Sequence, residues 1–235
     1  MMNIIRKALL IITVSAFSIH SYGQEIEYSL ELGGMAGGSF YMGDANYSHL
    51  FMETGLCGGA VLRQLLNPHM AVKYDLAAGK ISGDTRNIKD AFPHDARMTF
   101  SRTVIDAGAQ FEYNFWSYGT GKGYKGTKRL TPYILGGIGF TFAPAPADNV
   151  FTLNFPIGVG VKYKLLDRLN VGIEFTMRFS MSDRLDVTDK NGLTLQNPFN
   201  IKGKGIKNKD SYSFTAIFVT YDLKPKYRKC NNIDL

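Results

Sequence analysis

The sequence predicts an all-β fold, an eight-stranded antiparallel up-and-down transmembrane β-barrel. Three observations carry the prediction. Apolar side chains recur with period two in eight segments. Short connections alternate with long ones along the chain. One face of the alternation is apolar while the other mixes acids and bases, as in strands with lipid on one side and a polar interior on the other.

The first segment sets Ile26, Tyr28, Leu30 and Leu32 against Glu25, Glu27, Ser29 and Glu31, and closes through residues 37–44. The second sets Leu56, Gly58, Ala60 and Leu62 against positions ending on Arg63. The third sets Val72, Tyr74, Leu76 and Ala78 against Lys73 and Asp75. In the fourth, Thr103, Ile105, Ala107, Ala109, Phe111, Tyr113 and Phe115 oppose Arg102, Asp106, Gln110, Glu112 and Asn114. The fifth, residues 133–142, is rich in glycine, and its phase is left open. Phe155 to Leu165 and Leu169 to Phe179 supply the sixth and seventh, with Lys162, Lys164, Glu174 and Arg178 on the polar phase, and 212–223 the eighth. Each is expected to hold about the 9–11 residues that cross a bilayer.

The connections 66–69 and 166–168 are short, whereas 41–54, 82–99, 143–152 and 180–211 are long. Short turns on one side and long loops on the other place the short turns, and with them both chain ends, in the periplasm. Residues 117–129 break the pattern, being long where a short turn is due. A soluble β-sandwich or lipocalin-like barrel also alternates. Aromatic placement favours the membrane. Tyr113, Phe115, Trp116, Tyr118, Tyr133 and Tyr163 are expected as a periplasmic girdle, and Phe40, Tyr41, Phe100, Phe142, Phe151, Phe179 and Tyr212 as an outer one.

The domain division follows. Arg6 and Lys7, an apolar run from Ala8 to Ile19 and small residues at Ser21 and Gly23 make residues 1–23 a signal peptide. Residues 24–223 are the barrel, and 224–235 a basic periplasmic tail. With 45% hydrophobic and 20% charged residues the chain is a folded one, and two cysteines make no disulfide framework.

No catalytic, cofactor or metal site emerges. Residues 121–126 fit G-x-G-x-x-G, but a strand follows where that fingerprint needs a helix, so they read as a basic loop. His49, His69 and His94 are scattered; Asp183, Asp186 and Asp189 lack the glycine and closing glutamate of a calcium loop. The compartment excludes nucleic acid, and outer-membrane lipids are expected partners. Lys122, Lys125, Lys128 and Arg129 carry no acid among them, and with Lys224, Lys226, Arg228 and Lys229 they suggest a basic periplasmic docking rim. Cys57 and Cys230 fall on opposite sides of the membrane and should not pair. That leaves Cys230 available to a periplasmic partner.

Residues 37–44 (GGSFYMGD), 131–139 (TPYILGGIG) and 156–162 (PIGVGVK), followed by Glu174, Arg178, Ser182, Asp183, Leu185 and Asp186, together resemble the PorG-like family of Bacteroidetes outer-membrane barrels over nearly the whole mature chain. The resemblance implies a non-enzymatic component of the type IX (Por) secretion system. In that role the barrel would anchor a periplasmic ring, made of a lipoprotein and its partner, to the outer membrane. The alternative is a free-standing small barrel with a structural or adhesive role, and less so a lipid-modifying barrel enzyme.

Overall fold

In a computed structural model, which describes residues 28–42, 54–84, 99–121, 126–144, 149–182, 185 and 210–224, the eight alternating segments form eight strands. They are β1 (Leu30–Met42), β2 (Gly55–Asn67), β3 (Met70–Asp84), β4 (Thr99–Asn114), β5 (Leu130–Ala143), β6 (Val150–Lys164), β7 (Leu169–Ser180) and β8 (Ser211–Asp222). Each pairs antiparallel with the next, and β1 pairs with β8, running from Glu31 opposite Asp222 to Met42 opposite Ser211. Closure removes every sheet edge, which a barrel in lipid requires because hydrocarbon offers no hydrogen bonds.

The strands hold 12 to 16 residues, more than the 9–11 expected. The excess stands above the apolar wall, and β3 and β4 show where. From the short-turn end, the outward side chains of β3 are Val72, Tyr74, Leu76 and Ala78, then Lys80 and Ser82. Those of β4 are Phe111, Ala109, Ala107 and Ile105, then Thr103 and Ser101. The inward phase changes in the opposite sense. Lys73, Asp75, Glu112, Gln110 and Asp106 give way to Ile81, Val104 and Phe100, all buried. Along this ribbon the lower part is therefore apolar outside and charged inside, whereas the upper part is polar outside and mostly apolar inside, with Arg102 the inward charge among Ile81, Val104 and Phe100.

This inversion corrects the outer girdle. Tyr41, Phe100 and Tyr212 point inward and join Ile81, Val104, Ala143, Val150, Leu185 and Phe214 in an apolar cluster. Phe40 is buried against Phe175, with ring centroids 6.2 Å apart. Only Phe142 and Phe151 of that set are exposed large hydrophobics. At the other end Tyr113, Phe115, Trp116 and Tyr163 are exposed as a belt requires, whereas Tyr118 and Tyr133 turn into the lumen.

Below the inversion the outer wall is continuous. Leu32, Leu62, Leu76, Ile134, Ile138, Ile157, Val159, Ile173, Ile217 and Val219 are all exposed. Water penalises such a surface by ~25 cal/mol per Å², so a closed wall of it is built for an apolar solvent. The glycine-rich fifth strand takes its phase from Thr131, Tyr133 and Thr141, which point inward. Glycines opposite make room for these large lumenal side chains. A Cβ on Gly160 would lie 2.5 Å from the Tyr133 hydroxyl, and one on Gly172 2.4 Å from the Phe218 ring.

Candidate functional site

An eight-stranded barrel is just wide enough for side chains to fill it, and here most of the filling is ionic. Ten ionisable residues on the polar phase of the strands are buried in it: Glu31, Arg63, Lys73, Asp75, Arg102, Asp106, Glu112, Lys162, Glu174 and Arg178. Lys164, Asp210 and Asp222 join them, giving six buried cations and seven buried anions among the described residues.

The groups stack in layers. Near the short turns Arg63 bridges two carboxylates, Nη1 donating to Glu31 Oε2 at 2.9 Å and Nε to Glu112 Oε1 at 2.7 Å. The second oxygen of Glu112 accepts from Lys162 Nζ at 3.0 Å. In the next layer Lys73 pairs with Glu174, which also accepts the Tyr133 hydroxyl at 2.7 Å. Above it Arg178 Nη2 donates to Asp75 Oδ2 at 2.6 Å, and its Nε lies 3.2 Å from Asp106 Oδ1. Gln110 donates to Asp75 at 2.7 Å, Asn154 to Asp106 at 2.8 Å, and the Tyr212 hydroxyl also donates to Asp106. Phe218 and Phe214 lie against the faces of Arg63 and Arg178, 4.7 and 4.3 Å from the guanidinium carbons. Charges this deep hold only because each has a partner; removing one from a buried pair leaves the other uncompensated.

The anomalous connection after β4 explains itself at the short-turn end, where it folds into the barrel mouth as a plug. Tyr118 is buried, its hydroxyl donating to Asn170 Oδ1 at 2.7 Å; burial pushes its pKa well above the usual phenol range. Its ring packs against the Lys162 and Lys164 ammonium groups, 5.0 and 5.3 Å away. Lys164 donates to Asp222 at 2.6 Å, and Asn170 donates to the same carboxylate at 2.7 Å. The β2–β3 turn holds the plug from the side: Tyr118 N–H donates to Pro68 O at 3.0 Å. His69 Nδ1 lies 3.0 Å from Asn114 O, which can only accept, so Nε2 is free to accept the Ser117 hydroxyl at 2.8 Å. With a carbonyl rather than a carboxylate behind the imidazole, this pair is a staple.

The long-loop end is closed by the apolar cluster and a polar latch. Arg102 donates to Ala143 O at 2.9 Å, Pro144 O at 3.1 Å and Leu185 O at 3.4 Å. Asp210 accepts the Leu185 N–H at 2.9 Å and the Tyr41 hydroxyl. Leu185, one foot of the β7–β8 loop, is thereby held in the mouth.

Of the proposed docking residues, Lys128 and Arg129 are engaged within the chain. Lys128 Nζ lies 4.7 Å from the centre of the Trp116 ring, and its backbone meets Ser117 and Gly119. Arg129 Nε donates to Thr120 O at 3.0 Å, and its Nη2 lies 3.6 Å from Asp167 Oδ1. Lys122, Lys125 and Cys230 lie outside the described residues, as do residues 1–23, His49, His94 and the three loop aspartates. Gly121 and Gly126 have φ of 74° and 62°, left-handed values that favour glycine. They bracket the tip of the plug, and β5 follows. Cys57 is a buried free thiol. Sequence reading missed Tyr118 and His69 as structural anchors; the excess length of 117–129 was the available signal. Among the described residues no group of three His, Cys, Asp or Glu side chains could hold a metal.

A family model described as a domain of unknown function (DUF6089) matches residues 6–232. No curated protein matches the chain. Among solved structures, the N-terminal β-barrel domain of Pseudomonas aeruginosa OprF aligns at TM-score 0.44 and 13% identity, covering 84% of this chain and 98% of that one. Neisserial surface protein A (NspA) aligns at 0.48 and 10%, covering 83% and 97%. A major outer membrane protein from Thermus thermophilus aligns at 0.44 and 13%, covering 83% and 99%.

Proposed function

The chain belongs to the DUF6089 family, and on that premise we propose that it is a non-enzymatic outer-membrane barrel. Its short-turn end faces the periplasm, where it anchors the ring of the type IX secretion system. One observation carries the reading: the described lumen is filled with paired charges and capped at both ends by its own side chains. Such a barrel offers a rigid body and two rims, and no conduit. The resemblance to the PorG-like family in residues 37–44, 131–139 and 156–162 supports the finer assignment to the secretion ring.

The plug clarifies how the periplasmic rim would work. Tyr118, His69 and Arg129 clamp its stem, so the basic tip is offered from a fixed base. A preorganised segment loses less entropy on docking. The test is capture of periplasmic ring proteins on the tagged barrel, with Lys122 and Lys125 reversed to glutamate. Capture should fall in the variant and weaken further with salt, since exposed charges are screened over ~8 Å at physiological ionic strength. A folded wild-type barrel that retains no periplasmic protein overturns the proposal.

A second reading, a stand-alone barrel acting through its outer loops, draws on the latch of Arg102 and Asp210. By pinning Leu185 it gives the long β7–β8 loop a fixed foot.

A further inference from the structure

We propose that Lys80, Ser82, Ser101 and Thr103, on the outward face of the β3–β4 ribbon, bind the phosphorylated sugar headgroup of an outer-leaflet glycolipid. The proposal rests on the outer-membrane reading and goes beyond it.

Depth is the first argument. Lys80 is ten residues beyond Met70, the first residue of β3 at the short-turn end. A rise of ~3.3 Å per residue and a strand tilt of ~40° put it ~25 Å above Met70, the height of a barrel's apolar band. Composition is the second. Lys80 is the one charged residue among outward positions 70–82 and 101–113. Of the inward side chains at its level, Ile81 and Val104 are apolar and fully buried, and Arg102 is turned away to the carbonyls of Ala143, Pro144 and Leu185 inside the mouth.

Register supplies the third argument. Lys80 stands opposite Thr103, and Ser82 opposite Ser101. Same-face neighbours lie ~5 Å apart across strands and ~7 Å apart along them. One ammonium and three hydroxyls thus share a patch the size of a phosphorylated sugar. A lysine ammonium supplies charge-assisted hydrogen bonds to phosphate, and the hydroxyls suit a sugar ring. The patch is stiff, because the reverse face of the ribbon packs Ile81, Phe100 and Val104 into the apolar cluster.

The test is retention of glycolipid by the full-length barrel purified from outer membranes, read by native mass spectrometry. Add-back titrations would use the phosphorylated glycolipid, its dephosphorylated form and phosphatidylglycerol. Wild type should retain the glycolipid. Lys80→Gln should bind it about tenfold more weakly, the loss of one charge-assisted contact. Wild type should bind the dephosphorylated form as weakly as Lys80→Gln binds the intact one. Equal retention by both proteins, or equal binding of phosphatidylglycerol, overturns the assignment. The heat-dependent gel shift of a closed barrel is followed in parallel. Its absence in wild type would fail the outer-membrane reading itself, whereas its presence in Lys80→Gln shows that any loss of glycolipid is local.

Discussion

Substituting alanine for Gly37 should prevent the barrel from closing, although the change adds a single methyl group. Gly37 lies opposite Ala216 on the seam between β1 and β8. A Cβ built there falls 2.0 Å from Thr215 O and 2.6 Å from the Ala216 Cα, both backbone atoms that no rotamer change can move aside. Restoring ~3 Å of separation moves the strands apart by ~1 Å. Ladder bonds of ~2.9 Å would then stretch to ~3.9 Å, beyond hydrogen-bonding range. Each group so orphaned costs ~1–3 kcal/mol. Losing the two bonds that flank the pair therefore removes ~4 kcal/mol or more from a total of ~5–15 kcal/mol. Gly34 is the control on the same strand. Its Cβ would meet only Gly59 O at 3.5 Å, an ordinary contact on the outward face. Refolding into vesicles, followed by urea titration of the heat-dependent gel shift, measures both. Gly34→Ala should track wild type and Gly37→Ala should lose most of its folded fraction. A Gly37→Ala midpoint equal to wild type, or equal damage from Gly34→Ala, would refute the steric argument.

Other outcomes follow from the lumen and the plug. Arg63→Met should destabilise the barrel by ~3–5 kcal/mol in the same urea titration, because Glu31 and Glu112 lose their shared counter-charge. Tyr118→Phe should cost ~1 kcal/mol, one buried hydrogen bond to Asn170. Tyr118→Ala should release the plug and make residues 117–129 a protease site while the gel shift persists. Cys230→Ser should abolish a reducible higher-mass band, the mixed disulfide with a periplasmic partner, on non-reducing gels of wild-type membranes; identical patterns for both proteins would remove Cys230 from the account.

The strand order and the lumenal charges were legible because one physical rule governs both: in a pleated strand lipid and lumen alternate residue by residue. Lys73 and Asp75, or Glu112 and Asp106, name the inner face, and Leu76 or Phe111 the outer one. The upper aromatics were misplaced because the rule was applied without asking where the membrane ends. Counting in steps of two from Asp106 reaches Val104, then Arg102, then Phe100, and from Asp75 reaches Ile81, so the inward phase of these residues was written in the sequence. What was missing was the reversal of solvent polarity above Ala78 and Ile105. The plug was illegible for a different reason. Its residues have no period; Tyr118 is placed by Asn170 and Lys164, and His69 by Ser117, distant in sequence and brought close only by closure of the barrel. Glycine hid the phase of β5, since Gly136, Gly137 and Gly139 offer no side chain to assign to a face.

The central claim is that the wall around this charged lumen is solvated by lipid, and spin labels report that directly. Single labels at Ile138, Ile157, Ile173 and Ile217, all exposed on the outer wall, would be compared in vesicles with one at Thr103, above the inversion. Collisions with oxygen, which partitions into hydrocarbon, should dominate at the first four, and collisions with a water-soluble nickel complex at Thr103. Nickel dominating at residues 138, 157, 173 and 217 would contradict the account, for the wall would then stand in water.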